Sequence, residues 1–487
     1  MGFLTGWYPL WLLIFDWALR IVLATHIIMR RRPVAASLAW LSIILFVPIF
    51  GLFVYFLIGE TRLGSKRAAA YEKLTKGLES EALMLLTKRG MVCKEVAPEF
   101  DQIAEFGTAV SGLPPLRGNA LSLLRDNAGT LAALEQDINA ARSHIHMLFY
   151  IWCDDAGGRR IGDALIRATT RGVRVRVLVD GAGSSRFLRS PLCASMRAGG
   201  VSVVESLPTQ LWRILFSRLD LRNHRKIAVF DGAIAYCGSQ NLCDSTFRSS
   251  KRRITGEWID ATVRVVGPAA QALAVTFLRD WQLDATENIE HVDDFLPPLT
   301  PGEDAECIVQ VVPSGPGPTP QAIHQALLTM IYSAREEIIM TTPYFSPDDA
   351  LMQAVCAAAT RGVRVVIVMP AISDSPLLAA AARSHYLDML EAGVEIHHYK
   401  GDLLHAKTVT LDRNMALVGS TNMDQRSFFL NFEVTLFIYD DDFASVLRFL
   451  QTDYLAKSDR IDLDQWRKRS SFAVLRDNSA QLLGPLL

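Results

Sequence analysis

Two stretches of this chain carry the same reactive side chains at the same spacing. The first runs His224-Arg225-Lys226, then Asp231, then Gly238-Ser239-Gln240-Asn241. The second runs His405-Ala406-Lys407, then Asp412, then Gly419-Ser420-Thr421-Asn422. A single His beside a Lys is commonly an accident of a surface strand; two full copies of HxKx4Dx6GSxN are not. His and Lys stand two apart in each copy, so an extended backbone points both to one side. An imidazole attacks phosphorus or moves a proton, and an ammonium offsets negative charge. The set therefore suits phosphoryl transfer, a chemistry that needs no metal or cofactor. Glycine lets backbone approach a ligand closely, and Ser239, Asn241, Ser420 and Asn422 offer hydrogen bonds to phosphate oxygens. Asp231 and Asp412 open short turns. A turn-stabilising role and a direct catalytic one are both open to them.

These residues need strands to hold them. Residues 227–230 and 408–411 are apolar and suit buried strands, and a second apolar strand leads to each Gly-Ser-x-Asn. Upstream, helical patterns (131–141, 160–171, 194–198) alternate with strand patterns (144–151, 173–179, 201–205). The order returns in the second half. Ala141-Arg142 matches Ala334-Arg335, Thr170-Arg171-Gly172-Val173 matches Thr360-Arg361-Gly362-Val363, and Gly200-Val201 matches Gly393-Val394. Offsets run from 190 to 193, against 181 between the histidines, so the first half carries an insertion before His224. The expectation is an α/β fold of two repeated α/β/α domains packed as a pseudo-dimer, each with a largely parallel, covered sheet. The first domain is placed at 118–296 and the second at 297–487, with Pro297, Pro298 and Pro301 at the boundary. The insertion includes residues 211–219, either a surface helix or a lip that dips into a headgroup layer.

The N-terminus has a different character. Residues 34–58 hold no charge, longer than the roughly 20 residues needed to cross a bilayer core. Residues 9–29 are also apolar, and Asp16 and Arg20, four apart, are placed to pair on one helix face. Two transmembrane helices are therefore expected in 1–59, turning at Arg30-Arg31-Arg32-Pro33, with a juxtamembrane helix and linker over 60–117. Lys+Arg 50 against Asp+Glu 51 gives no global basic field of the kind a nucleic-acid enzyme uses. Seven scattered cysteines suggest neither a disulfide framework nor a metal site. They suit a reducing compartment and, with the Lys/Arg count after Gly59, weight the catalytic domain towards the cytoplasmic side of the membrane.

The paired motifs over 118–460 resemble the phospholipase D superfamily. With the N-terminal apolar runs, the Arg-Arg-Pro turn, Leu404-His405-Ala406-Lys407 and Met423-Asp424-Gln425-Arg426-Ser427, the whole chain resembles the bacterial cardiolipin synthases. That resemblance implies a multi-pass enzyme of the bacterial inner membrane. It implies phosphatidyl transfer between two phosphatidylglycerols, giving cardiolipin and glycerol through a phosphohistidine. Hydrolysis of phospholipids is the alternative. By the same analogy His224 is the nucleophile and His405 the acid/base, although the motifs themselves are symmetrical. Lys226, Lys407, Asn241 and Asn422 are expected to hold the phosphate oxygens. A carboxylate should orient each histidine's far nitrogen. Glu433 is the candidate in the second copy, and Asp260 aligns with it in the first, with Glu257 as the alternative.

Overall fold

The computed structural model describes residues 10–30, 34–59, 63, 65–208, 218, 220–246, 256–285, 287–299, 305–317 and 321–482. They fall into two compact units, one within 1–65 and 209–221, the other within 66–208 and 222–487. Most of the insertion read as a surface helix or lip, 211–217 and 219, lies outside the described residues.

In the first unit, α1 (Leu10–Met29), α2 (Val34–Phe46) and α3 (Pro48–Ile58) pack around Leu23, Ile27, Trp40, Ile44 and Tyr55. Arg20 Nε donates to Asp16 Oδ2 at 2.8 Å, the pairing expected from their spacing. The uncharged run 34–58 is not one helix. Pro48 has no N–H and disfavours helical geometry at the residue before it. Val47 is accordingly non-helical, at φ −137° and ψ 69°, and the run divides into α2 and α3. Gly51, without a Cβ, lets α3 fold back onto the backbone of Ile43 and Ile44. The expected hairpin of two transmembrane helices is corrected here: among the described residues no helix is long and apolar enough to cross a membrane. The outer faces are nevertheless apolar, with Phe15, Ile21, Ile28, Phe46, Ile49 and Phe53 exposed.

The second unit is built on one sheet. Its first half supplies β1 (Leu116–Leu124), β2 (His144–Phe149), β3 (Arg174–Asp180), β4 (Ser202–Ser206), β5 (Ile227–Phe230), β6 (Ile234–Gly238) and β7 (Thr262–Val266). The second half supplies β8 (Cys307–Ser314), β9 (Glu337–Thr341), β10 (Arg364–Pro370), β11 (Glu395–Tyr399), β12 (Thr408–Leu411), β13 (Met415–Gly419), β14 (Glu433–Tyr439) and β15 (Ser458–Arg460). Among the described residues these fifteen strands run β15-β11-β10-β9-β12-β13-β14-β8-β1-β7-β6-β5-β2-β3-β4. The two halves have the same internal order and meet where β1 pairs antiparallel with β8. Only β2-β3-β4 and β9-β10-β11 are parallel, so the expected largely parallel sheet is corrected to a mixed one. Short turns join β5 to β6 and β12 to β13, and such hairpins force antiparallel pairing.

One apolar core spans both halves. It joins Leu148, Ile227 and Val263 to Val366, Val434 and Leu436. Helix Pro268–Asp284, buried from Pro268 to Trp281, runs through it. The repeats are thus halves of one compact unit.

Asp231 and Asp412 hold the turns of this frame. Both have positive φ, +49° and +46°, which Asp tolerates better than most residues. Asp231 accepts hydrogen bonds from the backbone N–H groups of Arg142, Ser143 and His144 at 2.8–2.9 Å. Asp412 accepts from Arg335, Glu336 and Glu337 at 2.7–2.9 Å. Each carboxylate ties the motif hairpin to the start of the neighbouring strand. Asp231→Ala or Asp412→Ala is expected to remove these hydrogen bonds to a charged group and lower stability by roughly 1–3 kcal/mol. Urea unfolding would measure it; an unchanged midpoint would refute the structural role.

Candidate active site

The site forms where each half lends a short piece of backbone to the other. His224 N–H donates to the Phe432 carbonyl at 2.9 Å, and His405 N–H donates to the Ile259 carbonyl at 2.8 Å. Leu403–Leu404 pairs in parallel with Trp258–Ile259. Both histidines thereby reach one cavity of about 600 Å³, also lined by Asn241, Asn422, Asp260, Tyr150 and Trp258. The ring edges of Tyr150 and Trp258 pack against His224 and His405, with centroids 4.8 and 4.7 Å apart.

The carboxylate partners cross between halves. His224 Nδ1 lies 3.0 Å from Glu433 Oε2, and His405 Nδ1 lies 2.7 Å from Asp260 Oδ1. The sequence alignment set Asp260 with the first copy and Glu433 with the second; in space each serves the histidine of the other. Ser239 Oγ donates to Asp260 Oδ1 at 2.7 Å, and Ser420 Oγ donates to Glu433. Both serines are fully buried and neither lines the cavity, so their expected place as phosphate ligands is corrected: they fix the carboxylates. Lys226 Nζ donates to the carbonyl of His224 at 2.6 Å and Lys407 Nζ to that of His405 at 2.8 Å. The ammonium groups sit behind the cavity wall. Asp231 and Asp412, placed among the catalytic candidates by motif, do not line the cavity. Their carboxylates are occupied by backbone N–H groups, as described above.

Burial governs the electrostatics. It pushes His224 down to about 4, against the pull of Glu433, and it lowers His405 with help from the Lys407 charge. Glu433 lies below its ordinary range and Asp260 at about 2, because burial is outweighed by the partner histidines and nearby lysines. At neutral pH the free site therefore holds two neutral imidazoles against two carboxylates. With Nδ1–H donated to the carboxylate, the Nε2 lone pair of each ring is left to react. Burial also lowers Lys226 to about 8 and Lys407 to about 7.

Arg225 was missed by the sequence reading. It stands between His224 and Lys226, so strand alternation turns it to the opposite, core side, and a charge there was the available signal. It is fully buried. Nη1 donates to Asp280, Nη2 to the Ser314 carbonyl at 2.8 Å, and Nε to the Glu433 carbonyl at 2.9 Å. It thus fixes the backbone of the carboxylate that serves His224.

The cysteine expectation is corrected too. Cys153 and Cys243 form a disulfide across 90 residues, and Cys243 lines the cavity. With Asp155 these sulfurs make the only metal-type cluster among the described residues.

A duplicated mixed sheet with one histidine from each half in a shared cavity is the plan of the phospholipase D-like fold. Among solved structures, phosphatidylserine synthase from Haemophilus influenzae superposes with a TM-score of 0.58 at 15% identity, covering 80% of this chain and 100% of that one. The family described as "Cardiolipin synthase, PLD-like domain" matches residues 134–281 and 327–449, and "Phospholipase_D-nuclease N-terminal" matches 18–60. Cardiolipin synthase A of Edwardsiella ictaluri is 39% identical and that of Erwinia tasmaniensis 40%, each covering 98% of both chains. The chain belongs to the cardiolipin synthase family of phospholipase D-like phosphatidyltransferases.

Removing one partner of a buried ion pair costs about 3–5 kcal/mol. Arg225→Ala should therefore lower the free energy of unfolding by that order, with Arg225→Met/Asp280→Leu recovering much of the loss. Wild-type stability in the single variant would mean that Arg225 does not hold this frame.

Proposed function

We propose that this chain joins two phosphatidylglycerols into cardiolipin and releases glycerol. The observation that carries the reading is the crossed arrangement of one carboxylate-backed imidazole from each half in a single cavity. The neutral Nε2 of His224 attacks the donor phosphorus; a P–N bond forms and the P–O bond to glycerol breaks. His405 supplies the proton to the departing glycerol oxygen. The bound phosphate's negative charge raises the affinity of that ring for a proton, opposing the burial and the lysine charges that depress it in the free site. The hydroxyl of a second phosphatidylglycerol then gives its proton to His405 and attacks phosphorus, and the P–N bond breaks. Lys226 and Lys407 lend positive charge from behind, while Asn241 and Asn422 face the phosphate from the cavity wall.

The exposed apolar faces of α1, α2 and α3 suit lipid rather than water, and we assign this unit to the bacterial inner membrane as the anchor. The Cys153–Cys243 bond removes the cysteine argument for a cytoplasmic catalytic unit and leaves the Lys/Arg count alone in its favour.

Purified protein given phosphatidylglycerol alone is expected to yield cardiolipin and glycerol by mass spectrometry. Phosphatidic acid as the sole lipid product would indicate a hydrolase instead. His405→Ala should lose about 10²–10⁴-fold in rate, and His224→Ala should form no phosphatidyl-enzyme. A lysine with a lowered pKa is charged only below it. Hence kcat/KM should fall as pH rises through about 7 to 8, where Lys407 and Lys226 lose their protons. It should also fall as pH drops towards about 4, where His224 becomes protonated. A flat profile across both windows would contradict these assignments. The membrane assignment predicts that the protein stays with membranes through an alkaline carbonate wash; release into the supernatant would refute it.

A further inference from the structure

We propose that Arg222 and Arg426 bind the phosphodiester of the acceptor lipid, forming a second anion site beside the one at the histidines. The proposal rests on the transfer reading above, because that reaction brings two phosphates into one cavity. One is carried by the nucleophilic histidine; the other belongs to the incoming phosphatidylglycerol. The acceptor hydroxyl and the glycerol that has just left present the same chemistry to the acid/base. Apart from its acyl chains, which lie outside the headgroup, the acceptor's own phosphodiester distinguishes it from glycerol or water, and a cation away from the reacting phosphorus would read that difference.

The geometry supplies two arginines at positions whose repeat counterparts carry no charge. Arg222 precedes His224 by two residues in an extended segment, which turns both side chains the same way. Its carbonyl accepts the Phe432 N–H at 2.8 Å, and the Arg426 carbonyl accepts the Asn431 N–H at 2.9 Å. Adjacent residues thus anchor both arginine backbones, and both side chains line the cavity, half-buried. The repeat offset of 181 sets Leu403 opposite Arg222 and Ser245 opposite Arg426. Trp258 N–H donates to the Ser245 carbonyl as Asn431 N–H does to Arg426, so Trp258 takes the place of Asn431. A centre symmetrical in its histidines, lysines and asparagines therefore carries two arginines at positions whose repeat counterparts are Leu403 and Ser245, with Arg186 and the acids Asp244, Asp374 and Asp424 also on the cavity wall.

Acids lie near these cations, Asp180 near Arg222 and Asp424 near Arg426. Asp180 accepts from the N–H groups of Ala182, Gly183 and Asn223, and Asp424 accepts from that of Ser427. At about 600 Å³ the cavity lies within the roughly 300–1,000 Å³ that drug-sized ligands occupy, enough for two headgroups. Guanidinium is the side chain that binds a phosphodiester through two parallel hydrogen bonds.

The test measures two products at once. Full-length protein in mixed micelles receives phosphatidylglycerol and labelled glycerol. Labelled phosphatidylglycerol reports transfer to an uncharged acceptor, and cardiolipin reports transfer to an anionic one. Arg222→Gln and Arg426→Gln should each lower the ratio of cardiolipin to exchange by about tenfold or more, with Arg→Lys at either position restoring part of it. An unchanged ratio would overturn the proposal. So would a parallel loss of both products, which would put the arginines on the transferring phosphate or in the folded frame. A second measurement needs no variant: wild-type enzyme offered equal glycerol and glycerophosphoglycerol should prefer the phosphodiester by about tenfold, and no preference would refute the site. Exchange without any cardiolipin from wild type would instead sink the transfer reading, and the acceptor site with it.

Discussion

Everything in the catalytic unit is subject to one constraint: each reactive imidazole takes its carboxylate from the other half of the chain. His224 and Glu433 are 209 residues apart, and His405 and Asp260 are 145 apart. Neither half can complete a histidine alone. The two halves must meet in a fixed register, and the antiparallel pairing of β1 with β8, the shared core and the short strand pairs beside each histidine provide it. The duplication therefore does more than repeat a site. It makes one site whose parts are interdependent, which suits a reaction that needs a nucleophile and a proton donor at once.

That arrangement puts a dense set of charges out of water. Isolated buried charges are costly, and buried pairs are tolerated when their hydrogen-bonding capacity is filled. The site follows this rule. Asp260 and Glu433 each hold a histidine and a serine hydroxyl, Arg225 holds Asp280 and two carbonyls, and each lysine holds the carbonyl of its own histidine. The result is a rigid set in which each reactive ring is neutral, its one proton on Nδ1 and its Nε2 bare. The lysine ammonium groups lie near both carboxylates, and this explains how two anionic partners coexist with two neutral imidazoles.

The N-terminal unit shows the opposite balance. Its interior is small and its exterior is apolar, an arrangement that water does not favour and lipid does. One charged pair within α1, Asp16 with Arg20, is internally bonded, and Arg20 also donates to the Leu45 carbonyl near the end of α2. Pro48 is the residue that prevents α2 and α3 from joining, so a run that reads as one span by composition folds as two short helices.

Much of the chemistry was legible in the chain alone. Spacing of two between His and Lys, apolar strands on either side and a second copy set the reaction class, and the alignment of Asp260 with Glu433 named both carboxylates. Such features are local, because alternation and turn residues act over a few positions. What needed the tertiary structure was everything that depends on which edges meet. Only there do the carboxylates cross between halves, the motif serines turn to those carboxylates, and the motif aspartates become backbone clamps. The mixed strand directions and the Cys153–Cys243 bond were likewise decided by the pairing of distant segments. A repeat read along the chain matches like with like, whereas a pseudo-symmetric pair of halves brings each residue against the counterpart of its partner.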